Sequence, residues 1–188
     1  METDNPGAYR LLSATFLQSS QYSNIDFLFD VLENKRLYFD SFRNMNDPYE
    51  IFTFIRKKGS NETFVDRNVK DKIKITCFTK QYNNYIMWSH YGLKHQGVCI
   101  SFDIPLEENK DIQTLKVGND LIIFSPVLYK PIEISVTKKE FHSKIIKNGI
   151  EACRRKYSFW TYEEEYRAFI KSDSSKSFPK KRTIDCFQ

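Results

Sequence analysis

A chain of 188 residues with 16 Phe, 11 Tyr and only six each of Gly and Pro can bury a core of its own, which excludes collagenous and low-complexity classes. No apolar run approaches the length that spans a bilayer, and Met1-Glu2-Thr3-Asp4 lacks the basic and apolar regions of a signal peptide, so a cytoplasmic protein with no membrane partner is expected. The formal charge of +5 is modest and partly local, in Arg154-Arg155-Lys156 and Lys180-Lys181-Arg182, runs that suit either phosphate contact or a solvated face.

The sequence predicts a single domain over residues 1–188, without internal repeat or linker. Residues 8–17 read as a first strand with Arg10 embedded among apolar neighbours, a charge that needs a partner. Ile25, Leu28, Phe29 and Leu32 recur at helical spacing and are assigned to the core face of a helix ending near Asn34. Leu37-Tyr38-Phe39 suggests a second strand, and Asn46-Asp47-Pro48-Tyr49-Glu50 a turn that Asp47 shapes by bonding nearby backbone N–H groups. Residues 57–71 read as a polar surface loop.

Ile73–Thr79 alternates as a strand, and Val98–Phe102 as another. Between them, Tyr85-Ile86-Met87-Trp88-Ser89-His90-Tyr91-Gly92 has the make-up of a short helix with Gly92 as its C-terminal cap. Trp88 suits a core position, whereas His90, beside Ser89 and Tyr91, suits either a structural hydrogen bond or the handling of a ligand or proton. Leu121–Phe124 reads as a strand, and a long helix is expected from a capping box at Thr137-Lys138-Lys139-Glu140 through Phe141, Ile145, Ile150, Cys153 and Tyr157. After Asp173–Ser177, a polar loop, residues 183–188 can pair or hang free. Cys77, Cys99, Cys153 and Cys186 are widely spaced, with no CxxC pair and only His90, His95 and His142 to join them, so reduced thiols and no metal are expected.

The long helix is expected to run straight into Trp160-Thr161-Tyr162-Glu163-Glu164-Glu165-Tyr166-Arg167. Read as a strand, this stretch puts Glu163, Glu165 and Arg167 on one face and Tyr162, Glu164, Tyr166, Ala168 and Ile170 on the other. Carboxylates crowded along one strand repel unless a cation or ligand joins them, which suits a reaction centre; the same alternation also describes a solvated sheet face. Short strands alternate irregularly with helices, so the fold expected is α+β, with a mostly antiparallel, split sheet and packed helices.

Tyr9-Arg10, Leu37-Tyr38-Phe39 with Asn46–Glu50, Cys77-Phe78, Met87–Tyr91, His95–Phe102 and Trp160–Arg167, in this order, resemble the bacterial domain-of-unknown-function family numbered 2971. That pattern in turn resembles a divergent ADP-ribosyltransferase, which implies an ADP-ribosyltransferase-like fold, NAD as substrate and no metal. The resemblance implies Arg10 as a residue that holds NAD, one of Ser89, Tyr91 or Ser101 as the middle element, and Glu163-x-Glu165 as the late one. Glu165 would stabilise the oxocarbenium-like centre and Glu163 activate the acceptor, a protein, a nucleic acid or water. Arg10 would fork onto the pyrophosphate, Tyr9 or Trp88 would stack on a ring, and Arg167 would neutralise or orient the carboxylates.

The function expected is thus an ADP-ribosyltransferase or NAD glycohydrolase, of toxin or anti-phage effector type, with Glu165, Glu163 and His90 as candidate catalytic residues. Tyr9, Arg10, Trp88, Ser89, Tyr91 and Arg167 are the candidates for NAD contact. One alternative is a non-enzymatic module that binds a nucleotide or nucleic acid through the basic runs, Arg154-Arg155-Lys156 and Lys180-Lys181-Arg182, and exposed aromatics. Another is a hydrolase that pairs His90 with Glu163 or Glu165. No Gly-rich phosphate loop is present to favour a Rossmann or Walker mode of binding.

Overall fold

Alternating apolar residues build most of the secondary structure in a computed structural model of the chain, which describes residues 9–13, 29, 32–34, 36–42, 45, 47, 54–57, 59, 63–65, 73–92, 95, 99–104, 106–107, 110–130, 134–136, 150–171 and 182–185. In chain order the elements are β1 (Tyr9–Ser13), β2 (Arg36–Ser41), β3 (Phe54–Lys57), β4 (Thr63–Val65), β5 (Ile73–Thr79), helix α1 (Tyr85–Tyr91), β6 (Ile100–Ile104), β7 (Gln113–Val117) and β8 (Asp120–Pro126). There follow β9 (Leu128–Tyr129), β10 (Ile134–Val136), β11 (Arg155–Lys156), a 3-10 helix (Ser158–Glu163), β12 (Glu165–Lys171) and β13 (Arg182–Asp185). Mixed helices and strands with mostly antiparallel pairing make this an α+β fold.

The main sheet has eight strands, with β13, β2, β5, β12, β8 and β7 side by side and β1 and β6 branching from β5. The branch splits the sheet. One edge of β5 pairs along its whole length with β12, while its other edge meets β2 at Ile75 and Lys74 and β1 at Thr79. All these pairings are antiparallel; among the described residues parallel pairing is confined to β10 on β3 and β11 on β9.

β12 lies between β5 and β8 and is buried from Glu165 through Ile170, so both its faces are covered. Tyr166, Ala168 and Ile170 join Phe39, Phe78, Ile122 and Phe124 in one core. Phe169 joins Phe42, Ile73, Ile75, Ile150 and Cys153 in a second core on the opposite face. Glu165 and Arg167 share the side of Phe169 by the period of two, which puts them under the short helical segment at residues 150–153.

Several expectations need correction. The helix that contains Cys153 ends there instead of running on through Tyr157, because Arg155 and Lys156 turn back to pair with Leu128 and Tyr129. Residues 57–71 are not a plain loop: β3 and β4 pair antiparallel, with Gly59 at a φ of 81° between them, a conformation glycine adopts without steric cost. Phe29 and Leu32, assigned to a core face, are 53% and 54% exposed. The strand expected from Val98 begins at Ile100; at the C-terminus Arg182–Asp185 takes the paired one of its two expected states, on β2. No helix among the described residues is long and apolar enough to cross a membrane.

Helix α1 forms as expected from its local signals. The Asn84 side chain accepts from the N–H groups of Ile86 (3.0 Å) and Met87 (3.3 Å), satisfying two of the donors that open a helix. Gly92 closes it at an ordinary φ of −89°, so space and not dihedral freedom selects glycine. A Cβ there would stand 2.6 Å from Trp88 Cε3 and 2.7 Å from the Trp88 carbonyl oxygen. Gly92→Ala is therefore expected to cost about 1–3 kcal/mol in urea-induced unfolding, as overpacked sites do.

Candidate active site

The site begins with a buried arginine. Arg167 has no solvent exposure, and its guanidinium forks onto Glu165, with Nε 2.7 Å from Oε1 and one Nη 2.8 Å from Oε2. The other Nη donates to the carbonyl oxygen of Cys153 at 2.5 Å. Cys153 is the last helical residue, so the cation meets the carbonyl end of a helix, where the backbone dipole favours positive charge. The N–H of Glu165 donates to the Tyr129 hydroxyl at 2.8 Å.

Glu163 comes to the same place by a different route. Trp160–Arg167, expected as one strand, is divided: the 3-10 helix ends at Glu163, Glu164 takes a left-handed conformation (φ 42°), and β12 starts at Glu165. Strand alternation therefore does not aim Glu163; the reversal at Glu164 does. The exposed Glu164 side chain turns outward and accepts from Gln81. Glu163 is 2% exposed, and its backbone oxygen accepts from the Thr79 hydroxyl at 2.7 Å.

Lys156 joins the two carboxylates. Its ammonium is 2.5 Å from Glu163 Oε2 and 3.1 Å from Glu165 Oε2, and it lies 4.7 Å from the centroid of the Trp160 ring. The remaining Glu163 oxygen, Oε1, accepts from the Tyr91 hydroxyl at 2.5 Å. Two carboxylates and two cations thus share one buried cluster, fed by α1, β11, the 3-10 helix and β12.

The two carboxyls differ in chemistry despite their proximity. Burial alone would raise Glu165, but the guanidinium of Arg167, the ammonium of Lys156 and hydrogen bonds from Arg167 and Cys77 outweigh it and hold Glu165 well below the usual carboxylate range. Glu163 is pushed up to about 7 by burial and by the neighbouring Glu165 charge, against the pull of Lys156 and Tyr91. Burial also raises the Tyr91 hydroxyl strongly, so it stays protonated and donates to Glu163. Burial raises Tyr129 in the same way.

Of the residues singled out in the sequence, Tyr91, Glu163, Glu165 and Arg167 meet in this cluster. His90 is exposed and stands beside it: its Nδ1 is 3.1 Å from the Tyr162 hydroxyl, and its ring is edge-on to Tyr91, Trp160 and Tyr162 at centroid distances of 6.0, 6.1 and 6.1 Å. Trp88 and Ser89 are engaged elsewhere. Trp88 Nε1 donates to the Tyr82 carbonyl oxygen at 2.6 Å, and Ser89 Oγ is 3.0 Å from both the Tyr85 carbonyl oxygen and His95 Nε2.

Tyr9 and Arg10 are placed in β1, Arg10 opposite Asp103, and Ser101 in β6 opposite Leu12; the side chains of all three lie outside the described residues. Leu12 pairs with Thr79, which pairs with Glu165, so β1 flanks the site through one backbone row. Asp47 is buried, while Asn46, Pro48, Tyr49, Glu50, Lys180, Lys181, His142 and Cys186 lie outside the described residues.

The basic run needs correction. Arg154 and Lys156, expected at a phosphate-contacting or solvated surface, are each 3% exposed. Arg154 is held by Ser125 at 2.9 Å and by Glu151 and Asp111, each at 3.3 Å. Lys156, Tyr129 and Thr79 are the site residues that sequence reading missed. A cation seven to nine positions before three glutamates was the available signal, but the run of three cations to which it belongs reads as surface. Among the described residues no group of three or more His, Cys, Asp or Glu could hold a metal ion, and Cys77, Cys99 and Cys153 are not joined in disulfides.

Two outcomes follow from the charges. Arg167→Met leaves Glu165 buried opposite fewer donors and is expected to lose about 3–5 kcal/mol in denaturant unfolding. For Glu163 the folded state raises the pKa from 4.5 to about 7, so its contribution to stability is fully present below 4.5 and is lost as pH rises through about 7. Glu163→Gln, which mimics the protonated form, is expected to gain stability relative to the parent when urea midpoints at about pH 4 and about pH 8 are compared.

No curated protein and no solved structure matches this chain. A family model does match part of it, and Tyr91, Lys156, Glu163, Glu165 and Arg167 all fall within the matched part. Of the segments that carry the resemblance, Met87–Tyr91, His95–Phe102 and Trp160–Arg167 lie inside it, whereas Tyr9-Arg10, Leu37–Phe39, Asn46–Glu50 and Cys77-Phe78 lie before it. Residues 87–168, from within α1 to the middle of β12, match the model of the family described as protein of unknown function (DUF2971).

Proposed function

We propose that the domain cleaves the nicotinamide–ribose bond of NAD, as an ADP-ribosyltransferase or NAD glycohydrolase, with Glu163 as the carboxylate that faces the ribose. The observation that carries this reading is the asymmetry of the buried pair: Glu165 has both oxygens on Arg167, while Glu163 is raised to about 7 and is bonded to Tyr91 and Lys156. Two carboxyls whose surroundings drive their proton affinities apart are the arrangement that acid–base and glycosidic chemistry uses.

Bond cleavage develops positive charge on the ribose, which a fixed negative charge in a low-dielectric setting stabilises. Glu163 supplies that charge when ionised, and as a base near neutrality it takes a proton from the acceptor, whether water or a nucleophile on a protein or nucleic acid. Glu165 then acts as the anchor behind it, a reversal of the roles expected from the sequence. Tyr91, half-buried, is the partner whose hydroxyl can give way to a ribose hydroxyl. Trp160, Tyr162 and the exposed His90 form the aromatic rim beside it, better placed than Trp88 to meet a planar ring. Arg10, on the strand that flanks the site, keeps its proposed role in holding phosphate.

The two other readings have less support. His90 pairs with Tyr162 rather than with a carboxylate, which weakens a His/Glu hydrolase. Burial of Arg154 and Lys156 removes two of the three cations of the first basic run from a nucleic-acid module that would use it.

Incubation with NAD labelled in the nicotinamide is the test. The parent is expected to release label, and Glu163→Gln to lose on the order of 10²-fold or more of that rate. Equal rates for parent and variant, or no release and no NAD binding by the parent, would sink the proposal.

A further inference from the structure

Lys156 presents three donors, and the cluster offers three destinations: Glu163 Oε2 at 2.5 Å, Glu165 Oε2 at 3.1 Å and the face of Trp160 at 4.7 Å. Its backbone is held by parallel pairing of β11 with β9, where Lys156 stands opposite Tyr129, the residue that also accepts from the Glu165 N–H. Arg167 cannot take over this task, because its fork is committed to Glu165 and its remaining Nη to the Cys153 carbonyl.

We infer that Lys156 is the positioning residue of this site: it holds Glu163 beside Glu165 against their mutual repulsion and keeps Glu163 able to ionise. Among the described residues, the groups that face Glu163 are Tyr91 of α1, Tyr162 of the 3-10 helix, Tyr129 of β9, Glu165 of β12 and Lys156 itself. Three of these are neutral phenols and one is a carboxylate, so Lys156 is the cation in direct contact. Without it, the cluster carries one excess negative charge in a low-dielectric setting, and Glu163 takes up a proton to remove it. A protonated Glu163 offers no charge to a developing cation and no lone base for an acceptor. The catalytic consequence rests on the NAD-cleaving reading; the consequence for Glu163 protonation stands without it.

The test is Lys156→Met, which keeps much of the stem and removes the charge. The carboxyl carbon of Glu163 is followed by NMR through a pH titration in parent and variant, with no substrate present. The titration is expected to move upward by at least about one pH unit in the variant. If the parent releases nicotinamide, the rising limb of its pH–rate profile moves by the same amount, with kcat at neutral pH falling about tenfold and KM little changed.

A folded variant in which Glu163 titrates as in the parent overturns the inference. If Lys156→Met does not fold, Lys156→Met/Glu163→Gln, in which the charges balance again, is expected to fold; its failure to do so would mean that Lys156 acts through packing alone, and overturns the inference too. A parent that releases no nicotinamide refutes the NAD reading only, and the titration still decides the role of Lys156.

Discussion

Arg167 is the constraint from which the arrangement of the site follows. A guanidinium without solvent exposure in the central strand of a sheet is tolerable only if its donors are matched, because desolvating an unpaired cation costs several kcal/mol. Glu165 meets it with both oxygens, and the carbonyl of Cys153 meets it from above. These contacts tie the end of a helix to the start of β12. The chain leaves the helix at Cys153, and after Arg154 the residues Arg155 and Lys156 lie along Leu128 and Tyr129, which is how Lys156 reaches the carboxylates.

The same constraint separates the two glutamates. They are the same residue type, two positions apart and in contact with one ammonium, yet Glu165 is held ionised and Glu163 is raised toward neutrality. The difference lies in the partners. Glu165 has a bidentate cation of its own, whereas Glu163 shares its cation and takes a neutral phenol as its other donor. The family resemblance gave Glu165 the oxocarbenium-like centre and Glu163 the acceptor; our proposal moves the first role to Glu163, because Glu165 has both oxygens committed to Arg167.

Local rules were most reliable where the structure is local. The helix at Tyr85–Tyr91 follows from a short aromatic run closed by Gly92, and Ile73–Thr79 from its alternation. Within β12 the expected division also appears, with Glu165 and Arg167 on one face and Tyr166, Ala168 and Ile170 on the other. Reading failed where one type of element gives way to another. The strand drawn back to Trp160 passes over the 3-10 helix and the left-handed Glu164, because nothing in Glu163-Glu164-Glu165 marks the middle residue as the one that reverses the chain. The helix drawn forward through Tyr157 passes over the turn at Arg154, because Cys153 and Tyr157 keep helical spacing by coincidence.

Three features were legible before folding is considered: which residues of β12 share a face, where the short helix starts and stops, and the α+β class. These are consequences of backbone period and of capping between near neighbours, and they need no knowledge of distant parts of the chain. Folding in three dimensions was needed to bury Lys156, to bring the Tyr91 hydroxyl onto Glu163 and to give two neighbouring carboxyls different proton affinities. Each of those depends on strands and helices distant in sequence meeting in a low-dielectric interior, where charge, solvent exclusion and hydrogen-bond geometry act together and composition carries no record of the outcome.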